Sequence, residues 1–178
     1  MMSNKENPEE NPAPEEKNEA AFNEAEFNTV IIGKEGSESP LGDTDFVKTL
    51  LSLLDSGNVE DKDNALDLLK KENAVDYLIS AIKAIENNDK KAVLLAACWE
   101  TGLSFKGHHH FFVDHALHIN PLISLEAITV LDSNLPDIPK EETQAIIDKL
   151  SAAIAKNHDN SGLLEDLKMA LEEHLKAV

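Results

Sequence analysis

Histidines are concentrated in one short stretch of the chain, and the imidazole side chain both binds metals and titrates near neutral pH. Five of the seven histidines fall within the eleven residues from His108 to His118. In a helix, His110, Asp114 and His118 would recur every four residues along one outward stripe. Imidazoles and carboxylates on adjacent turns are ligands that zinc, nickel and copper prefer. The spacing predicts a divalent transition-metal site at His110, Asp114 and His118.

Two other interpretations of this histidine run stay open. The run can form a solvated surface with His109 partly buried, or it can sense pH, since protonation near about pH 6 would add positive charge to an acidic surface. Adventitious affinity for nickel or zinc is expected in each case. Metal binding alone would therefore not establish a function.

Residues suited to covalent or phosphate chemistry are few. The single cysteine, Cys98, lies in an apolar run, where a thiol is usually inert packing material. The sequence has no glycine-rich phosphate loop, no G-x-S-x-G turn and no H-E-x-x-H motif. It therefore predicts a protein that is not an enzyme and that needs no cofactor, apart from the metal considered above.

The charge balance bears on the class of partner. Sixteen Lys and no Arg stand against 34 Asp and Glu, which gives a net charge of −18. Phosphate contacts and base recognition need a basic surface, so we expect no nucleic acid partner and no docking on anionic membranes. No signal peptide and no apolar run near 18 residues is present, so we expect a cytoplasmic protein.

Composition divides the chain near residue 42. Residues 1–42 hold four of the seven prolines and ten glutamates against three lysines. Low hydrophobicity with high charge cannot offset the entropy of chain ordering, so we expect a flexible, largely disordered acidic tail. Within it, the apolar segment Phe27–Ile32 is either a linker or a recognition segment for a partner.

Residues 43–178 carry helical periodicity with turn signals at regular intervals. We expect a first helix from Thr44, a second after Asn58, a third capped by Asn73 and a later one opened by Asn120-Pro121. The run Ala92–Trp99 is apolar on every side, which predicts a central helix. We also expect a core cluster of four aromatic side chains, or else an exposed aromatic patch that binds a partner: Trp99, Phe105, Phe111 and Phe112. The predicted fold class is all-α, with about eight helices in antiparallel pairs.

An internal match indicates a repeat. Residues 93–103 align with residues 125–135 at an offset of 32, pairing Glu100 with Asp132 and Gly102 with Asn134. Gly and Asn both end helices in the left-handed conformation. Repeats of this length in paired helices are typical of helical repeat arrays.

The repeated segment resembles the second helix of HEAT/armadillo units. Asp89, Val93, Ala96-Ala97 and Gly102 fit that outline, and Leu125, Ala127 and Asn134 repeat part of it. The resemblance implies a right-handed HEAT-like superhelix (an α-solenoid). An irregular helical bundle is the alternative, because small residues at helix contacts also occur in ordinary bundles. The resemblance also implies a non-enzymatic scaffold whose second helices present a surface to a protein partner.

Acidic residues on these predicted second helices are the candidate partner-binding residues: Glu100, Glu126 and Asp132. Such a surface would attract a basic partner and speed its encounter. The sequence thus predicts a protein-interaction module, with a histidine-rich metal-binding or metal- and pH-sensing protein as the alternative.

Overall fold

The computed structural model describes residues 44–156 and 159–177, with side chains from residue 47 onward. The predicted acidic tail, residues 1–42 with its segment Phe27–Ile32, lies outside the described residues. The described part of the chain is all-α, as predicted, with no strand and with eight helices: α1 (Thr44–Leu54), α2 (Val59–Lys71), α3 (Val75–Ala84), α4 (Asn88–Glu100), α5 (His109–Ala116), α6 (Pro121–Ser133), α7 (Lys140–Ile154) and α8 (Ser161–Ala177). A short 3-10 turn, Leu135–Asp137, follows α6.

Asparagine side chains begin three of the helices. Asn58 caps α2, Asn87 caps α4 and Asn120 caps α6, each by accepting a hydrogen bond from a backbone N–H of the first turn. These bonds satisfy N–H groups that have no partner inside the helix. Pro121 follows at the first helical position, as the Asn120-Pro121 pair predicts.

Helices α3 to α8 form two rows. Antiparallel pairs bring α3 against α4, α5 against α6 and α7 against α8, while α6 also packs on α4 and α8. The loop after α4 meets the end of α6, where the Phe105 N–H donates to Asn134 Oδ1 over 2.9 Å. Since these two ends meet, α4 and α6 run in the same direction. In the other row, α5 contacts α3 and α7 through side chains at its first turns.

The first helix pair departs from this order. Helix α1, rather than the second helix of its pair, packs extensively on α4. Helix α2 reaches the end of α4 through the Lys62–Glu100 ion pair, whose atoms are 2.8 Å apart. The HEAT-like superhelix therefore stays a prediction, because the repeated packing covers α3 to α8.

The core lies between the two rows. Phe105 and Phe112 are fully buried, with ring centroids 5.0 Å apart in a T-shaped contact. Five of the residues of α4 are buried, including Leu94, Leu95 and Cys98, so its central position is confirmed. The expectation that Trp99 belongs to this cluster is wrong: its side chain is 37% exposed, because α4 ends beside it.

Two asparagines act differently from the prediction. Helix α3 has no side-chain cap; Asn73 instead takes a left-handed conformation with a φ of 50°, two residues before the helix begins. Gly102 ends α4 with a φ of 64°, but its counterpart Asn134 has a φ of −107°. Asn134 is buried, and its side-chain oxygen accepts a long-range hydrogen bond from the Phe105 N–H.

Candidate functional site

The histidine run forms the start of α5 and the loop after it. Helical spacing predicts an inward face formed by Phe112, Val113, Ala116, Leu117 and Ile119. Phe112, Val113 and Ala116 are buried and Leu117 is half-buried, but Ile119 is exposed because the helix has already ended. Helix α5 stops at Ala116, so His118 does not continue the stripe begun by His110 and Asp114. The three predicted metal ligands do not share one helix face.

The start of the run surrounds a carboxylate from α7. His109 is 1% exposed, and its Nδ1 lies 3.1 Å from Glu142 Oε2. His110 is 63% exposed and its Nε2 lies 3.7 Å from the other oxygen of Glu142. The buried Nε2 of His109 has no hydrogen-bond partner within the part of the chain that the structure describes. This cluster joins the first turn of α5 to the first turn of α7.

The other predicted ligands have separate partners. Asp114 pairs with the Lys149 ammonium of α7, and His118 Nδ1 accepts the Asn120 N–H over 3.0 Å. Across residues 44–156 and 159–177, no three His, Cys, Asp or Glu side chains are arranged to hold a metal ion. Metal binding at His110, Asp114 and His118 stays a prediction.

Burial shifts the pKa values of two titratable groups, His115 and Cys98. Desolvation lowers the pKa of His115, and the neighbouring Lys91 and His118 add to that effect; the bond of Nδ1 to the Phe111 carbonyl oxygen opposes it. Desolvation raises the pKa of the Cys98 thiol, which donates to the Leu94 carbonyl oxygen at 3.3 Å. A buried thiol of this kind is not a nucleophile at neutral pH.

The structure brings two of the predicted partner-binding carboxylates to one place. Glu100 ends α4 and pairs with Lys62. Glu126 of α6 accepts the indole N–H of Trp99 over 2.7 Å. Asp132 is exposed and lies farther along α6. Glu100 and Glu126 therefore flank Trp99, and Asp132 extends the acidic surface toward the end of α6.

A groove lies between α1 and the N-terminal parts of α4 and α6. Its volume is about 590 Å³, and Leu51, Val93 and Leu122 form its apolar walls. Its rim is charged and includes Lys48, Asp55, Asp89 and Lys90. Helical spacing places Leu122, Leu125 and Asp132 on the same side of α6, so the apolar surface continues from the groove toward Asp132. We call this surface the α4–α6 face, formed by Leu51, Val93, Trp99, Leu122 and Leu125.

Three of the six exposed large apolar side chains of the described residues lie on this face. Trp99 is 37% exposed, and Leu122 and Leu125 are each 44% exposed. Sequence reasoning noted Leu125 in the repeat match but did not predict that the two leucines would be exposed. The sequence did contain a signal of their exposure, because α6 carries apolar residues on more sides than one core can cover.

Comparison with protein-family models, with curated proteins and with solved structures finds no match to the chain. The HEAT/armadillo resemblance thus depends on the residues quoted for it. Among the described residues, no helix is long and apolar enough to cross a membrane.

Proposed function

We propose that the chain is a non-enzymatic protein-interaction module that binds a protein partner through the α4–α6 face. The observation that carries the proposal is the exposure of Trp99, Leu122 and Leu125 on the paired helices α4 and α6, with Leu122 also lining an open groove. Single exposed apolar side chains are ordinary, whereas a contiguous group bordered by polar residues is typical of an interaction site. Tryptophan is also the residue most enriched among those that dominate binding energy.

The polar surroundings of Trp99 support the same proposal. Glu126 holds the indole N–H, which fixes the ring at the edge of the face and lowers the entropy lost when a partner covers it. Charged groups surround the apolar walls at the rim, where water can still solvate them. An apolar centre with a charged rim is the usual anatomy of a protein interface.

The test is a comparison of two matched charge substitutions. Leu125→Asp places a carboxylate on the α4–α6 face, and Met169→Asp does so at an exposed methionine of α8. The tagged chain, without polyhistidine, is used to capture partners from native lysate, and unfolding curves check that both variants fold. We expect Leu125→Asp to lose a partner that the wild type and Met169→Asp retain. Equal capture by all three chains, or no specific partner, would refute the proposal.

Metal binding is the second candidate, favoured by one observation. His110 Nε2 and Glu142 Oε1 are 3.7 Å apart, close to the separation of two ligands of one zinc ion, and His109 bonds the other oxygen of Glu142. Calorimetric titration with Zn²⁺ tests this candidate. His110→Ala should abolish a one-to-one site and His118→Ala should leave it intact. Equal losses in both variants would indicate weak, distributed binding instead.

A further inference from the structure

The α4–α6 face has two electrically different ends. Because α4 and α6 run in the same direction, their carbonyl ends lie together, and these ends carry the negative part of each helix dipole. Neither helix has a basic residue in its last turn. Glu100 and Asp132 lie in the last turns of α4 and α6, and Lys62 pairs with Glu100. Glu126 lies at the middle of α6, in contact with Trp99. Among the ion pairs of the described residues, no lysine pairs with Glu126 or Asp132.

The opposite end is close to neutral. The groove rim there contains Lys48 and Lys90 as well as Asp55 and Asp89. The N-terminal dipoles of α4 and α6 add positive potential at this end. Charge along the face thus changes from neutral or weakly positive beside Leu122 to negative beside Trp99 and Asp132.

We propose that the occupant of the α4–α6 face is an amphipathic helix of a partner protein, with basic side chains near its N-terminus, docked antiparallel to α4 and α6. This inference rests on the proposed function. A helix fits because its apolar side chains at every third and fourth position match the spacing of Leu122 and Leu125 along α6. In the antiparallel orientation, the positive end of its dipole and its basic residues both lie beside Glu126 and Asp132.

Trp99 makes the proposal measurable. It is the only tryptophan of the chain and lies at the acidic end of the face, so its emission reports on what covers that end. The probe is a synthetic amphipathic helix about as long as α4, with leucines on one face and lysines in its first turn. A second peptide carries the lysines in its last turn, and a third replaces them with glutamates.

We expect the first peptide to shift the Trp99 emission to shorter wavelength and to saturate at one peptide per chain, in the full 178-residue protein. The glutamate peptide should bind at least about tenfold more weakly, and the peptide with lysines in its last turn several-fold more weakly. A dansyl acceptor at the N-terminus of the first peptide should receive more energy from Trp99 than one at its C-terminus. Equal binding of the lysine and glutamate peptides, reversed transfer, or no spectral change would overturn the inference.

Matched variants separate a local effect from the overall charge. Glu126→Gln with Asp132→Asn removes two charges but keeps an oxygen that can accept the Trp99 N–H. Glu141→Gln with Asp148→Asn removes two charges from exposed positions of α7. Only the first pair should weaken the lysine peptide, by about tenfold; equal effects of the two pairs would contradict the inference.

The two proposals fail in different ways. If Leu125→Asp abolishes capture of a partner while Glu126→Gln with Asp132→Asn changes neither capture nor peptide binding, the interaction face stands and the basic helix is wrong. If Leu125→Asp has no effect on capture, the proposed function itself is wrong.

The smaller hollow lined by Leu117, Ala152 and Ala153 has Lys149 and Lys156 at its rim, so the basic probe is not expected there.

Discussion

We expect His115 to couple protonation to folding. Burial lowers its pKa in the folded chain, whereas the unfolded chain has the usual value of about 6.5. As the pH falls through about 6.5, the unfolded state therefore takes up the proton first, and the folded state loses relative stability. The stability contributed by the neutral ring is thus present above that pH and is lost below it.

We expect the free energy of unfolding to fall between about pH 7.5 and about pH 5.5, and to fall less steeply in His115→Gln than in the wild type. The substitution also removes the contact of the ring with Phe111, whose centroid lies 4.4 Å away, so it lowers stability at every pH. Urea unfolding at several pH values separates the two effects. Parallel pH profiles for the two proteins would show that His115 is not linked to folding.

Cys98 should be protected from alkylation in the folded chain. Burial raises the pKa of its thiol and removes it from solvent, and the thiolate is the form that reacts. Mass spectrometry after iodoacetamide treatment should show an unmodified folded chain and complete modification in urea. Modification at the same rate in both states would place Cys98 at the surface.

Sequence predicts a residue's chemistry better than its partners. The cysteine in an apolar run was expected to be inert, and its burial agrees with that expectation. Glu142, by contrast, was not singled out, because it lies 33 residues from His109 and no local pattern connects the two. The exposure of Trp99, which the sequence offered only as the alternative to a core cluster, could not be decided for the same reason, because it depends on how the helices pack.

At the scale of the elements, Asn134 joins the loop after α4 to the end of α6. Its Oδ1 accepts the Phe105 N–H, and its Nδ2 donates to the Val130 carbonyl oxygen over 3.0 Å. Asn134→Ala would leave the buried N–H of Phe105 without an acceptor. We expect a loss of about 1–3 kcal/mol in the free energy of unfolding.

Asn64→Ala is the matched control, because Asn64 is exposed in the middle of α2. Its effect should stay within about 0.5 kcal/mol. Denaturant unfolding of the two variants and the wild type measures both values. Similar changes in the two variants would mean that the Asn134 hydrogen bonds do not stabilise this junction.

Helix beginnings were predictable where the signal is local. The Asn120-Pro121 pair sits within the turn that it caps, so the sequence alone identified it. The left-handed ending predicted for Asn134 was wrong because a backbone group 29 residues away determines its conformation. Asn73 takes the left-handed conformation instead, and α3 begins at Val75, one residue later than a cap at Asn73 would place it.

At the scale of the whole molecule, the net charge of −18 should control which ions approach Trp99. Iodide should quench its fluorescence weakly at low ionic strength, because the surrounding potential repels anions. Added inert salt should raise the quenching, since the Debye length falls from about 30 Å at 0.01 M to about 3 Å at 1 M. Quenching that is independent of salt would show that Trp99 does not lie in a negative potential.

Glu126→Gln with Asp132→Asn should raise iodide quenching at low salt more than Glu141→Gln with Asp148→Asn does. Both pairs change the net charge equally, and only the first removes the carboxylate charge that contacts Trp99. Equal changes would assign the potential to the molecule as a whole rather than to this end of the face.

The fold class and the number of helices could be predicted from the sequence. The all-α fold follows from periodicity, and the residues that align between α4 and α6 lie on helices that do pack in parallel. The different packing of the first pair, through α1 on α4, has no counterpart in the repeat pattern. The α4–α6 face arises from this packing, so its apolar groove could not be located from sequence.

The most direct measurement of the α4–α6 face as a binding site is site-specific photo-crosslinking. A photoreactive phenylalanine derivative replaces Leu125 in one protein and Met169 in another, two positions that are 44% and 56% exposed. Each protein is irradiated in native lysate, and its adducts are identified by mass spectrometry. We expect a discrete adduct with one partner from position 125 and none from position 169. The same adducts from both positions, or none from position 125, would contradict the assignment of this face as the binding site.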